Sequence, residues 1–235
     1  MNHSHRLLMT MSRQYRISRQ IMEIVELIPE QTVEPVMEIR EQIPVKPIRE
    51  TAVETAVELA NELKMEKITG TIVIVKVVCP EEFEQRAGSL CLDDRKNLNR
   101  QFPGDEKGTR TQRLANAIKK ELHSVADYYI DLHSGDDYEQ LTPYIYYAGC
   151  ADEDVVQMSR KMAEQADVPY MVKSNVASGG SYNYAATCGI PSVLIERGQM
   201  GGWSPEEVHS TRKDVRNILC ALGVYDGMRL SLIHI

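Results

Sequence analysis

The chain has 235 residues, of which 43% are hydrophobic and 26% charged, and its net charge is -7. This is enough length for one substantial core, and the interspersed charges exclude the basic stripe that nucleic acid or an anionic membrane surface requires. No apolar run approaches the ~20 residues that span a bilayer.

In chain order, MNHSHRLLMTMSRQYR lacks the apolar run and small-residue cleavage site of a secretory leader. Residues 1–49 are rich in Met, Glu, Ile and Arg and carry prolines at 29, 35, 44 and 47. A short amphipathic helix near 17–28, followed by extended chain, is the most that segment specifies, since each proline disfavours helix around it. It forms an atypical N-terminal segment.

From residue 50 the signals sharpen. ETAVETAVELANELKM spaces Val53, Ala56, Val57, Ala60 and Leu63 for one helical face. TIVIVKVVC reads as a strand buried on both sides, as in a parallel sheet covered by helices. Residues 111–123 predict a second helix with Leu114, Ala117, Ile118 and Leu122 inward. DYYIDL is the next strand, and it ends at His133. A helix follows near 152–166, and PSVLIE is a short strand ending at Glu196. The last helix has Ser204 as N-cap, Pro205 at its first position, Glu207 completing a capping box, and Gly223 as its stop. The alternation predicts an α/β fold: a mixed, largely parallel sheet flanked by helices on both faces.

Ligands bind such sheets beyond the carboxyl ends of the strands, where His133 and Glu196 both stand. Asp131, two residues before His133 on the same side of the strand, is placed to orient the imidazole. A histidine taken alone there is more simply read as a satisfied, half-buried loop residue. Burying Glu196 after apolar strand is costly unless the carboxylate is paired or functional, and desolvation moves it toward the range of a general base. A salt bridge to Arg197 or another cation is the competing reading. In KNLNRQFPG, Arg100 can grip a carboxylate with two hydrogen bonds and Asn99 can add one more, although polar loops of this composition are common. GGSYNYA and the Tyr-rich PYIYYAG are read as loops near the crevice, with strand as the alternative for Tyr144, Tyr146 and Tyr147. The five cysteines are scattered and form no CxxC pair, so reduced, mostly buried thiols in a cytoplasmic protein are expected.

Together these segments resemble the succinylglutamate desuccinylase/aspartoacylase family, relatives of the zinc carboxypeptidases. The resemblance runs from about Glu54 to Gly227. It rests on ETAVELANEL, TGTIVIVKVV, KNLNRQFPG, ADYYIDLHSG, GGSYNYAATCGIPSVLIERG and GGWSPEEV in that order. It implies a mononuclear zinc hydrolase of the amide bond of an N-acyl amino acid or a similar small carboxylate-bearing substrate. His133 matches one zinc ligand, and Glu196 the glutamate that takes a proton from the attacking water. Asn99 and Arg100 match the carboxylate-binding pair. Arg86 matches, more loosely, an arginine that polarises the carbonyl. The resemblance identifies neither the acyl group, the amino acid nor the oligomeric state.

The sequence departs from that family at the His-x-x-Glu turn that supplies the other zinc ligands. PVKPIRE stands there, with no histidine between His5 and His123. Counting back from the helix puts Lys46 and Arg49 in the ligand places, and Glu50 lies one residue away. Catalytic zinc ordinarily has three protein ligands, so weak occupancy is expected. His3 and His5 can chelate metal, but nothing in the sequence brings them near the sheet. The ending MRLSLIHI, where the family's β-rich domain would follow, reads as a non-native tail over 228–235. The domain expected to carry catalysis is then 50–227 of a fragment. Two alternatives stand beside the zinc hydrolase: a small-molecule binding module without metal, and carboxypeptidase-like cleavage of short peptides.

Overall fold

A computed structural model describes residues 6–11 and 50–228. Within them six strands form one sheet: β1 (Arg6–Met11), β2 (Thr71–Val75), β3 (Tyr128–His133), β4 (Tyr144–Ala148), β5 (Tyr170–Ser174) and β6 (Ser192–Glu196). Their spatial order is β2-β1-β3-β6-β4-β5, with every neighbouring pair parallel except β4 and β6. The mixed, largely parallel sheet expected from the sequence is therefore present.

Among the described residues six α-helices flank the sheet: α1 (Thr51–Glu62), the short α2 (Pro80–Glu84), α3 (Arg110–Glu121), α4 (Glu153–Ala163), α5 (Ser181–Thr187) and α6 (Pro205–Ala221). The pleat of β3 and β6 divides the core in two. Ile130, Leu132, Val193 and Ile195 pack with Leu59 of α1, Met162 of α4 and Ile218 of α6. Tyr129 and Leu194 face the other way, among Ile118 of α3 and Tyr182 and Ala185 of α5. Alternate residues of a strand point to opposite faces, so Asp131, His133 and Glu196 lie on the second face.

Several local expectations change. TIVIVKVVC is not a doubly covered strand: β2 lies at an edge of the sheet, and Ile72 to Val75 are only half-buried. The strand beside it is β1, six residues from the segment that the sequence left without definite structure. The helix expected near 17–28 lies outside the described residues, as do residues 229–235. On α1 the inward residues are Ala52, Val53, Ala56 and Leu59, whereas Ala60 is exposed. PYIYYAG contains β4, and SYNYAAT within GGSYNYAAT is α5 rather than loop. Cys91 is the one buried cysteine; Cys150 and Cys188 are exposed, and all five are free thiols. No helix among the described residues is long and apolar enough to cross a membrane.

Ser204 Oγ accepts the Glu207 N–H at 3.2 Å, and Gly223 at φ +70° ends α6. The Glu207 carboxylate reaches α1, where it accepts from Thr51 Oγ1 at 3.1 Å. Glu207 thus ties the start of α6 to the start of α1, beside the carboxyl end of the sheet.

Candidate active site

Parallel pairing of β3 with β6 sets His133 directly opposite Glu196 in register. Their side chains leave the sheet on the same face, with His133 Nδ1 3.6 Å from Glu196 Oε1. Asp131 Oδ1 lies 3.5 Å from His133 Nε2, the orienting position expected for it. Each ring nitrogen therefore faces a carboxylate. Burial by itself lowers the imidazole pKa, but the nearby charges of Asp131 and Glu196 outweigh it and lift the group to about 9. Burial pushes the Glu196 carboxyl above its ordinary range, and the opposite charge of His133 restrains that rise.

Arg197, one of the competing partners of Glu196, is engaged elsewhere. Arg197 is buried and points away, donating from Nη2 to Asp214 Oδ2 at 2.6 Å and to the Asp167 carbonyl at 3.1 Å. One residue after the strand, the arginine belongs to α6 and the carboxylate before it to the crevice. Gly198, at φ +99°, turns the chain immediately afterwards. A Cβ there would lie 2.7 Å from Thr51 Oγ1, so the glycine gives both the backbone angle and room for the start of α1. The loop after β3 meets the same helix: Ser134 Oγ accepts the Ala52 N–H at 3.0 Å.

Asp131, His133, Ser134 and Glu196 line a cavity of about 810 Å³ that also includes Glu50, Asn99, Arg100, Tyr144 and Ser181. Asn99 and Arg100 occupy a single helical turn, Leu98–Arg100, in which Asn97 Oδ1 accepts the Asn99 N–H at 2.8 Å. Arg100 is exposed, its Nη1 donates to the Asn99 carbonyl at 2.7 Å, and its charge acts against protonation of His133. The Asn99 amide oxygen is engaged within the protein, accepting the Ser181 N–H at 2.8 Å. Arg86 is not brought to this group. It lies exposed at φ +50° after α2, and it does not line the cavity.

The sequence allows Tyr144 either loop or strand. It pairs in register with Glu196 across the antiparallel step, and both Tyr144 and Tyr146 line the cavity. Neither Ser134 nor Ser181 is marked out by the sequence. A serine carries little signal by itself, and their contacts span 82 residues each.

The zinc implied by the resemblance needs three protein ligands. His133 has the oriented imidazole of a ligand, and Glu50, at the N-cap of α1, lines the same cavity. Among the described residues, however, no group of three or more His, Cys, Asp or Glu side chains is close enough to hold one ion. This donor set does not fit a three-ligand zinc centre. Lys46, Arg49, His3 and His5 lie outside the described residues.

The sequence of residues 50–222 matches the Succinylglutamate desuccinylase/Aspartoacylase catalytic domain. The chain is 27% identical over 172 residues to N-alpha-acetyl-L-2,4-diaminobutyric acid deacetylase of Halomonas elongata, covering 72% of this chain and 50% of that protein. The product-bound ectoine utilization protein EutE (DoeB) of Ruegeria pomeroyi superimposes with a TM-score of 0.74 at 23% identity, over 97% of this chain and 60% of the other. A metallo-carboxypeptidase of Burkholderia cenocepacia gives a TM-score of 0.60 at 17% identity, over 94% of this chain and 57% of its own. At these identities the two structural likenesses speak for the fold alone. The chain spans about half the length of the curated relative it matches. Three quarters of the chain carries the domain pattern, and the chain belongs to the succinylglutamate desuccinylase/aspartoacylase family of amide-cleaving hydrolases.

Proposed function

We propose that this chain carries the catalytic half of a hydrolase that cleaves the amide bond of an N-acyl amino acid. The observation that carries the reading is the pairing of Glu196 with His133 across adjacent strand ends, in a cavity that also contains Arg100. Glu196 is the catalytic base: it accepts a proton from water as the water oxygen bonds to the amide carbonyl carbon, and returns it to the nitrogen as the carbon–nitrogen bond breaks. Arg100 holds the substrate carboxylate, and Asn99 sets the geometry of that turn. His133, held by Asp131, fixes the other side of the carboxylate base. Arg86 keeps only its sequence match, because it stands away from the cavity.

Zinc dependence belongs to the family resemblance and carries no step here, since the described donors do not complete a centre. That same incompleteness favours the second reading, a binding module that retains the crevice and Arg100 without turnover. The relative from Halomonas elongata is a deacetylase of an N-acetylated amino acid, which makes N-acetyl amino acids the first substrates to try, with dipeptides as the carboxypeptidase-like comparison.

The test is release of free amine from both sets by the purified chain and by Glu196→Gln. Turnover of N-acetyl amino acids, reduced about 10²–10⁴-fold in the variant, supports the base assignment. Binding without turnover in the native chain supports the module instead. Turnover unchanged in Glu196→Gln sinks the assignment of the base.

A further inference from the structure

His123 is a buried titratable group that the proposed chemistry does not use. It stands just after α3 in an aromatic cage, with ring centroids 5.7 Å from Phe102, 5.0 Å from Tyr129 and 6.2 Å from Tyr184. Its Nε2 lies 3.2 Å from Ser181 Oγ, and that hydroxyl is also 2.7 Å from Tyr129 Oη. The Nδ1 atom is buried without a hydrogen-bond partner. A neutral imidazole protonated at Nε2 leaves only a lone pair unmatched at Nδ1, whereas the other tautomer would bury an unpaired N–H. His123 Nε2 therefore donates to Ser181 Oγ, and the Ser181 and Tyr129 hydroxyls complete the contact between themselves.

Ser181 faces the site through its backbone. Its N–H is the donor that holds the Asn99 side chain, next to Arg100. The neighbouring chain is fixed as well, by paired backbone hydrogen bonds between Phe102 and Gly179 at 3.0 and 2.9 Å. Tyr129 belongs to β3, the strand that ends in His133. A continuous set of contacts thus runs from the strand of the reacting centre, through Tyr129 and Ser181, to the turn bearing Arg100. Ser181 is 6% exposed and His123 4%, so these contacts are largely shielded from solvent.

We propose that Ser181, held by Tyr129 and His123, is a positioning residue that fixes the distance between the Arg100 carboxylate anchor and the Glu196–His133 centre. The substrate carboxylate then meets its anchor while the amide lies at the centre. A displaced turn weakens the carboxylate contact in the ground state and the transition state alike, so the loss falls on binding and leaves the chemical step nearly unchanged. The inference rests on the reading of Arg100 as the anchor, and the controls separate the two.

The experiment compares the full chain with Ser181→Ala, Tyr129→Phe, Arg100→Ala and the Arg100→Ala/Ser181→Ala double variant. It uses hydrolysis of N-acetyl amino acids and, independently of turnover, calorimetric binding of the same compounds. Ser181→Ala is expected to raise KM, or Kd, about 10-fold with kcat changed less than about 2-fold. Tyr129→Phe removes one hydroxyl from an otherwise intact ring and moves the same constant in the same direction, which keeps the test available if Ser181→Ala does not fold. In the Arg100→Ala background the Ser181 effect disappears, because the two act as one unit. Equal loss in both backgrounds, or a fall in kcat with KM unchanged, overturns the positioning role. Binding abolished by Arg100→Ala but untouched by Ser181→Ala and Tyr129→Phe also overturns it while leaving the anchor standing. Binding that Arg100→Ala does not weaken, or no binding to the native chain, overturns the anchor and the positioning role with it.

Discussion

Arg197 and Glu196 are consecutive, yet they do opposite work. The guanidinium goes to Asp214, whose side chain is 0% exposed and which also accepts the Asp167 N–H at 2.8 Å. Removing one partner of a buried pair leaves the other charge without compensation. Asp214→Ala should therefore lower stability by about 3–5 kcal/mol, read as a fall of roughly 10 °C in Tm for a chain of this size. A change within 1–2 °C would mean that Arg197 finds another acceptor. His123 sets a different expectation. Burial lowers its pKa from 6.5 to about 4, against a small opposing pull from Asp131. Above pH 6.5 the imidazole is neutral in both folded and unfolded chains. Between pH 6.5 and 4 the unfolded chain binds a proton that the folded chain refuses, so stability falls as pH falls, and below 4 the loss is complete. The total is about 3 kcal/mol. Urea unfolding at pH 7 and pH 4.5 measures it, and His123→Gln, neutral throughout, should flatten that part of the profile. An unchanged slope in the variant assigns the acid sensitivity to other groups.

At the scale of elements, the helices were legible wherever an apolar face and end signals coincided. Ser204, Pro205 and Gly223 bound α6 where the sequence sets them. Strand context was less legible. TIVIVKVVC has the composition of an interior strand and lies at an edge, while RLLMTM, with one β-branched residue in six, lies between β2 and β3. Strand state depends on the neighbours a segment finds more than on its own composition. The joints between elements are likewise non-local. Ser134 Oγ caps the Ala52 N–H of α1 from the loop after β3. Ser134→Ala should cost about 1 kcal/mol, the usual worth of such a cap, seen as a lower urea midpoint with unchanged m-value. No loss would show that another acceptor, such as water, serves Ala52 equally well.

For the molecule as a whole, the open matter of chemistry is the metal. His133 and Glu50 line one cavity, but the described residues hold no three-donor cluster. The purified chain is expected to retain zinc well below one equivalent after dialysis, measured by atomic emission. A full equivalent, lost on His133→Ala, would mean that further ligands complete the centre. The sequence by itself determined the α/β alternation and the family, and it put His133 and Glu196 at strand ends and Asn99 and Arg100 in one polar turn, because periodicity and ordered motifs are local properties of the chain. It did not determine that Arg197 turns away to Asp214, that Arg86 stands apart, that Glu50 reaches the cavity, or that Ser181 joins the Asn99–Arg100 turn to β3. Those outcomes depend on pairing register and on burial, which exist only once segments distant along the chain have packed together.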